Sequence, residues 1–83
     1  MTDTRAQALE QAILELLDRR GEGKTICPSD AARFLAPEDW RPLMQPVREA
    51  ASRLVARGDI VVTQHGKIVD PQTARGPIRL RKP

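Results

Sequence analysis

Three helices followed by a small antiparallel sheet is the fold class the sequence predicts, and three observations predict it. Apolar residues recur at helical spacing in stretches ahead of Gly58. At Gly58 the pattern turns β-branched and then alternating. Between the first and last helical stretches, Pro28 and Pro37 leave room for only a short second helix. A mostly α chain that ends in a small antiparallel sheet has the order of a winged helix-turn-helix. Helices two and three form the pair, and the β-hairpin after Ile60 forms the wing. A plain three-helix bundle with a ragged tail, or a small α+β domain of another topology, are the competing folds. At 83 residues the chain is read as a single domain, 1–83, with a modest core and marginal stability.

The first helix is predicted over residues 5–19. Thr4 and Gln7, in "TRAQ", have the spacing of a capping box. Leu9, Ile13, Leu16 and Leu17 then form one stripe, and "RRG" supplies cations and a glycine at the negative end. Leu14 lies off the stripe and reads as an exposed leucine. "GEGK" is a loop, and "TI" is at most a very short strand. The second helix is predicted over 28–35. Pro28 fits its first turn, Asp30 suits the positive end, and Cys27 is the N-cap, a small buried residue. Ala31, Phe34 and Leu35 are expected to face inward, and Pro37 ends the helix.

The third helix carries the argument about function. Asp39 is positioned to cap a turn over Trp40 to Met44, where Pro42 is tolerated. Pro46 is not tolerated deep inside a helix, because it removes a hydrogen bond and clashes with the carbonyl four residues back. The residue before each proline is also pushed from helical angles. A bend is therefore expected before the main helix, predicted over 46–57 and closed by Gly58. At 100° per residue, Leu43, Val47, Ala50 and Leu54 form its apolar face. Gln45, Glu49, Ser52 and Ala56 lie opposite, flanked by Arg48 and Arg53. Trp40, the one tryptophan, reads as a mostly buried anchor near Phe34 or Leu43 that fastens the turn to the core.

After Gly58, "DIVVTQ" reads as a strand and "HG" as a tight turn, with "KIV" returning. The alternative is one long strand from Ile60, with 70–77 as the loop of a larger hairpin. "IRLR" alternates, which places Ile78 and Leu80 on one side and Arg79 and Arg81 on the other.

Composition narrows the function. There is no apolar run long enough to span a membrane and no basic-then-apolar leader, so a cytoplasmic protein is expected. One cysteine and one histidine are too few for a structural zinc site, and no phosphate loop or nucleophile elbow is present. No cofactor is implied. His65 has no carboxylate partner in sequence and Cys27 no neighbouring histidine, so the chain is not read as an enzyme.

Charge is divided unevenly. Residues 1–40 carry five Lys/Arg and eight Asp/Glu, a net of −3, while residues 41–83 carry nine and three, a net of +6. A basic second half suggests an anionic partner. Duplex DNA is the first candidate. Arg41, Gln45, Arg48, Ser52 and Arg53 would meet it from helix three, and His65, Lys67 and Arg75 from the wing. Glu49, at the centre of the exposed helix face, weighs against a strong reader because it repels phosphate. The alternative partner is a protein, met through Leu14, Trp40, Met44 and the edge of the wing.

Four stretches, "ICPSDAARFL", "DWRPLMQPVREAASRL", "GDIVVTQHGKIVDP" and "GPIRLRK", together resemble a family of small bacterial proteins of unknown function assigned a winged-helix fold. The resemblance covers about residues 5–81. It implies the fold and no established activity.

Overall fold

A computed structural model describes residues 4–83, with side chains from Arg5 onward. The capping box expected of Thr4 falls on a side chain outside the described residues. The elements are α1 (Thr4–Arg20), β1 (Thr25–Ile26), α2 (Pro28–Leu35), a 3-10 turn (Arg41–Leu43), α3 (Met44–Ala56), β2 (Val61–Gln64), β3 (Lys67–Ile68) and β4 (Arg79–Arg81). The predicted class holds: three helices and a small antiparallel sheet, here of four strands in the order β1-β4-β2-β3.

The tight turn at "HG" forms, so the single long strand from Ile60 does not. The segment after residue 69 does serve as the loop of a second, larger hairpin. β2 turns through His65 and Gly66 into β3, pairing Gln64 with Lys67 and Thr63 with Ile68. His65 and Gly66 both have positive φ, 52° and 80°, the backbone of a two-residue hairpin turn. The chain then loops through 69–78 and returns as β4 on the other side of β2, with Val62 opposite Leu80. Leu80 also faces Ile26 of β1. Ile26, Val62 and Leu80 thus form a buried row across three strands, joined by Ile60 and Ile78.

Helices close the other side of the core. Leu9, Ile13 and Leu17 of α1 are buried together with Ala12, and Val47, Ala50, Ala51 and Leu54 of α3 meet them. Leu14 is half-buried and packs against the core, so it is not the exposed leucine expected. The alanines on α2 and α3 allow close helix approach, and burial of the larger side chains contributes about 25 cal/mol per Å² of apolar surface. α3 ends in a Schellman motif: Gly58 N–H donates to Val55 O (3.0 Å) and Asp59 N–H to Leu54 O (2.9 Å), with Gly58 at φ 80°.

Two more local expectations are corrected. Phe34 and Leu35 do not face inward; they are 40% and 37% exposed, while Pro28, Ala31 and Ala32 form the buried face of α2. The helix is only eight residues long. Its stripe is complete by Ala32, and the Phe34 ring instead lies under the Arg19 guanidinium (5.5 Å). The second correction is at Pro46, which is the third residue of α3 rather than its start. In a first turn its missing N–H is one that has no partner within the helix anyway. The carbonyl four residues back, of Pro42, belongs to the 3-10 turn.

Candidate nucleic-acid interface

Arg48 leaves α3 on the side that faces the loop between β3 and β4. Its Nη1 donates to Ala74 O (3.0 Å) and its Nη2 to Gly76 O (2.6 Å). From β2, Gln64 Nε2 donates to Arg75 O (2.5 Å) and Pro77 O (3.1 Å). Four successive carbonyls, 74 to 77, therefore alternate between a helix ligand and a strand ligand. Residues 74–77 are thus held from both sides, by α3 and by β2, with Gly76 at φ 84° bending the chain between the carbonyls. The loop start is fixed separately: Asp70 Oδ1 accepts from Gln72 N–H (2.8 Å), and Ala74 N–H donates to Asp70 O (2.9 Å).

This clamp sets where the wing cations stand. Arg75 is exposed between the two carbonyls that Arg48 holds. Lys67 is exposed directly opposite Gln64 in the β2–β3 ladder, next to the residue that holds Arg75 O. His65 is exposed at the turn beside them. On α3, Gln45 is exposed and Ser52 half-buried, and Arg41 is exposed in the 3-10 turn two helical turns before Arg48. Among the described residues, neither Lys67 nor Arg75 forms an ion pair.

Two of the arginines marked in the sequence have structural work instead. Arg48 is the clamp just described. Arg53 Nε donates to Glu10 Oε2 (2.6 Å), Arg57 Nη2 donates to Glu10 Oε1 (2.6 Å), and Arg53 Nη2 reaches Ala6 O (3.4 Å). Glu10 thus bridges α1 to the last turns of α3. Burial works against its charge, but the hydrogen bonds from Arg53 and Arg57 and their positive charges outweigh it. The carboxyl sits below the ordinary Glu value. The Arg57 guanidinium is correspondingly raised, chiefly by its hydrogen bond to Glu10.

Sequence periodicity missed two features. Gln64 reads as an ordinary strand residue, and only the observed register shows it holding the loop. Arg33 lies at the end of α2, outside helix three and wing, yet its guanidinium stacks 4.3 Å from the centre of the Trp40 ring. Arg41 lies 4.7 Å from the same ring. Trp40 itself is half-buried against the core, less enclosed than the anchor expected, because its exposed surface carries these two guanidiniums. A further contact joins the sheet to α2: Arg79 Nε donates to Thr25 Oγ1 (2.8 Å), and its Nη1 reaches the Cys27 sulfur. Cys27 is half-buried at the N-cap, where Asp30 Oδ2 accepts its N–H (2.8 Å).

A helix pair followed by strands that flank a clamped loop defines a winged-helix-like small α/β domain. Among the described residues, no helix is long and apolar enough to cross a membrane. The chain belongs to the family described as Protein of unknown function (DUF3253), whose model matches residues 6–83. No curated protein matches it.

Proposed function

We propose that this winged helix binds duplex DNA, with α3 and the wing as one contact surface and the cytoplasm as its setting. The observation that carries the reading is the alternating clamp of residues 74–77. It fixes the backbone on both sides of Arg75 against α3 and β2, and Lys67 lies opposite the clamp residue Gln64, in the half of the chain whose net charge is +6. Arg41, Lys67 and Arg75 supply phosphate contacts, with His65 near them. Gln45 and Ser52 face the groove, and Arg48 positions the wing. Arg53 is spent on Glu10. With Glu49 also on this face, affinity comes mainly from phosphates and is largely independent of sequence.

The experiment is titration of a labelled duplex at low salt, where non-specific electrostatics is strongest. Wild type should bind, and Lys67→Ala with Arg75→Ala should weaken binding by a similar factor on unrelated duplexes. A double variant that binds as wild type does would remove the wing from the interface.

A protein partner is the second reading. Ile68 is 69% exposed on the edge strand β3, and Phe34 and Leu35 are also open. Absence of duplex binding together with a monomer that self-associates or captures a partner through Ile68 would favour it.

A further inference from the structure

Trp40 is gripped from both ends of the turn that joins α2 to α3. Arg33 comes from the last turn of α2, and Arg41 opens the 3-10 turn that leads into α3. Their guanidinium carbons lie 4.3 and 4.7 Å from the ring centre. Stacking uses the face of a guanidinium and leaves its N–H fork available at the edge. Among the described residues, neither arginine makes an ion pair or a side-chain hydrogen bond. This holds although Glu38 and Asp39 lie between the two in sequence.

Two like charges held at one ring concentrate positive potential there, which favours an oxyanion. The ring is fixed because it packs on the core. Both forks are therefore partly ordered before any ligand arrives, which lowers the entropy lost on binding. A tetrahedral oxyanion with several acceptor oxygens suits paired guanidinium forks.

We propose that Arg33, Trp40 and Arg41 form a phosphate clamp that takes a backbone phosphate of the duplex at the N-terminal end of α3. The clamp rests on the DNA reading above and adds to it a contact from α2. It fixes the register of α3 on the duplex at one end, while the wing cations act at the side of the same helix. Arg41 runs directly into α3, so the phosphate it holds is continuous with the face that carries Gln45 and Arg48.

Trp40 supplies its own reporter, because the chain has one tryptophan and no tyrosine. Its emission is followed during titration with duplex DNA and, separately, with inorganic phosphate, while anisotropy of a labelled duplex reports binding. Duplex should change Trp40 emission with the same midpoint as the anisotropy. Arg33→Gln and Arg41→Gln should each weaken duplex binding about tenfold, and the double variant, which releases the shared phosphate, should reduce the salt slope by about 1. Both sites are exposed, so both variants should keep the wild-type circular dichroism. Arg33→Lys, which keeps the charge but loses the planar fork, should restore only part of the affinity. Duplex binding with unchanged Trp40 emission, and both glutamine variants binding as wild type does, overturns the clamp and leaves the interface standing. A response to inorganic phosphate that both variants abolish, without duplex binding, overturns the DNA reading and keeps the oxyanion site.

Discussion

Replacing Arg48 with alanine separates a positioning residue from a phosphate contact. The side chain makes two charge-assisted hydrogen bonds, to Ala74 O and Gly76 O. A hydrogen bond to a charged group contributes about 1.5–3 kcal/mol when well buried. Arg48 is half-buried and the bond to Gly76 lies in an exposed place, so water recovers much of this. Arg48→Ala should therefore cost about 1.5 kcal/mol in total. At about 4–8 °C per kcal/mol for a domain of this size, Tm should fall by roughly 6–12 °C. The loop should also loosen, since Gln64 alone would hold residues 75 and 77. The Ala74 amide, which donates to Asp70 O, should exchange faster with solvent. Arg48→Lys should behave like the alanine variant in both assays, because one ammonium does not match the two-pronged geometry. Denaturant melts followed by Trp40 emission and amide exchange measure these effects. Duplex affinity should fall while the salt slope stays near the wild-type value, because no phosphate contact is lost. Unchanged stability together with unchanged exchange in the loop would refute the clamp. A slope reduced by about 1 would make Arg48 a phosphate ligand instead.

Two further outcomes follow from the same geometry. The Glu10 carboxyl is held below its ordinary value when folded, so its pairing with Arg53 and Arg57 stabilises the fold fully above about pH 4.3. That stability is lost as pH falls through the lower folded value. Glu10→Gln should cost about 1 kcal/mol at neutral pH, a modest figure for a partly exposed network, and should flatten the acid limb of the stability profile. An acid limb identical to wild type would contradict this. His65 occupies a left-handed position at φ 52° in a two-residue turn where asparagine is favoured. His65→Asn should raise stability by a few tenths of a kcal/mol, and a clear loss in a thermal melt would show that the imidazole is needed there.

Helix extents were legible to within a residue or two because apolar periodicity and the terminating glycines agree over long stretches, although Pro46 falls inside the first turn of α3 rather than at its start. The stripe of α1 and the apolar face of α3 both read directly from sequence, as did Gly58 at the end of α3. Phe34 and Leu35 misled because hydrophobicity says what prefers burial, not where a short helix ends relative to the core. Arg48 and Arg53 stand where a helical wheel suggests contact with a partner, yet each finds its ligand within the fold. Arg53 meets Glu10, 43 residues earlier, and Arg48 meets carbonyls 26 and 28 residues later. Side-chain ligation across such separations depends on tertiary packing that periodicity does not encode. The Arg33 stack on Trp40 was hidden for the same reason: it crosses the irregular turn of residues 36–40 that follows α2. By contrast, the "HG" turn was visible, since its chemistry is local.

The salt dependence of duplex binding tests the central claim most directly. Each phosphate neutralised on B-form DNA contributes about −0.9 to the slope of log affinity against log salt. Three phosphates, one held by the Arg33–Arg41 clamp and one each by Lys67 and Arg75, give a slope of about −2.7. A wild-type slope near that value, with similar values on unrelated sequences, is the expected result. No binding at low salt, or binding that is insensitive to salt, would contradict a phosphate-binding face built from α3, the wing and the Trp40 clamp.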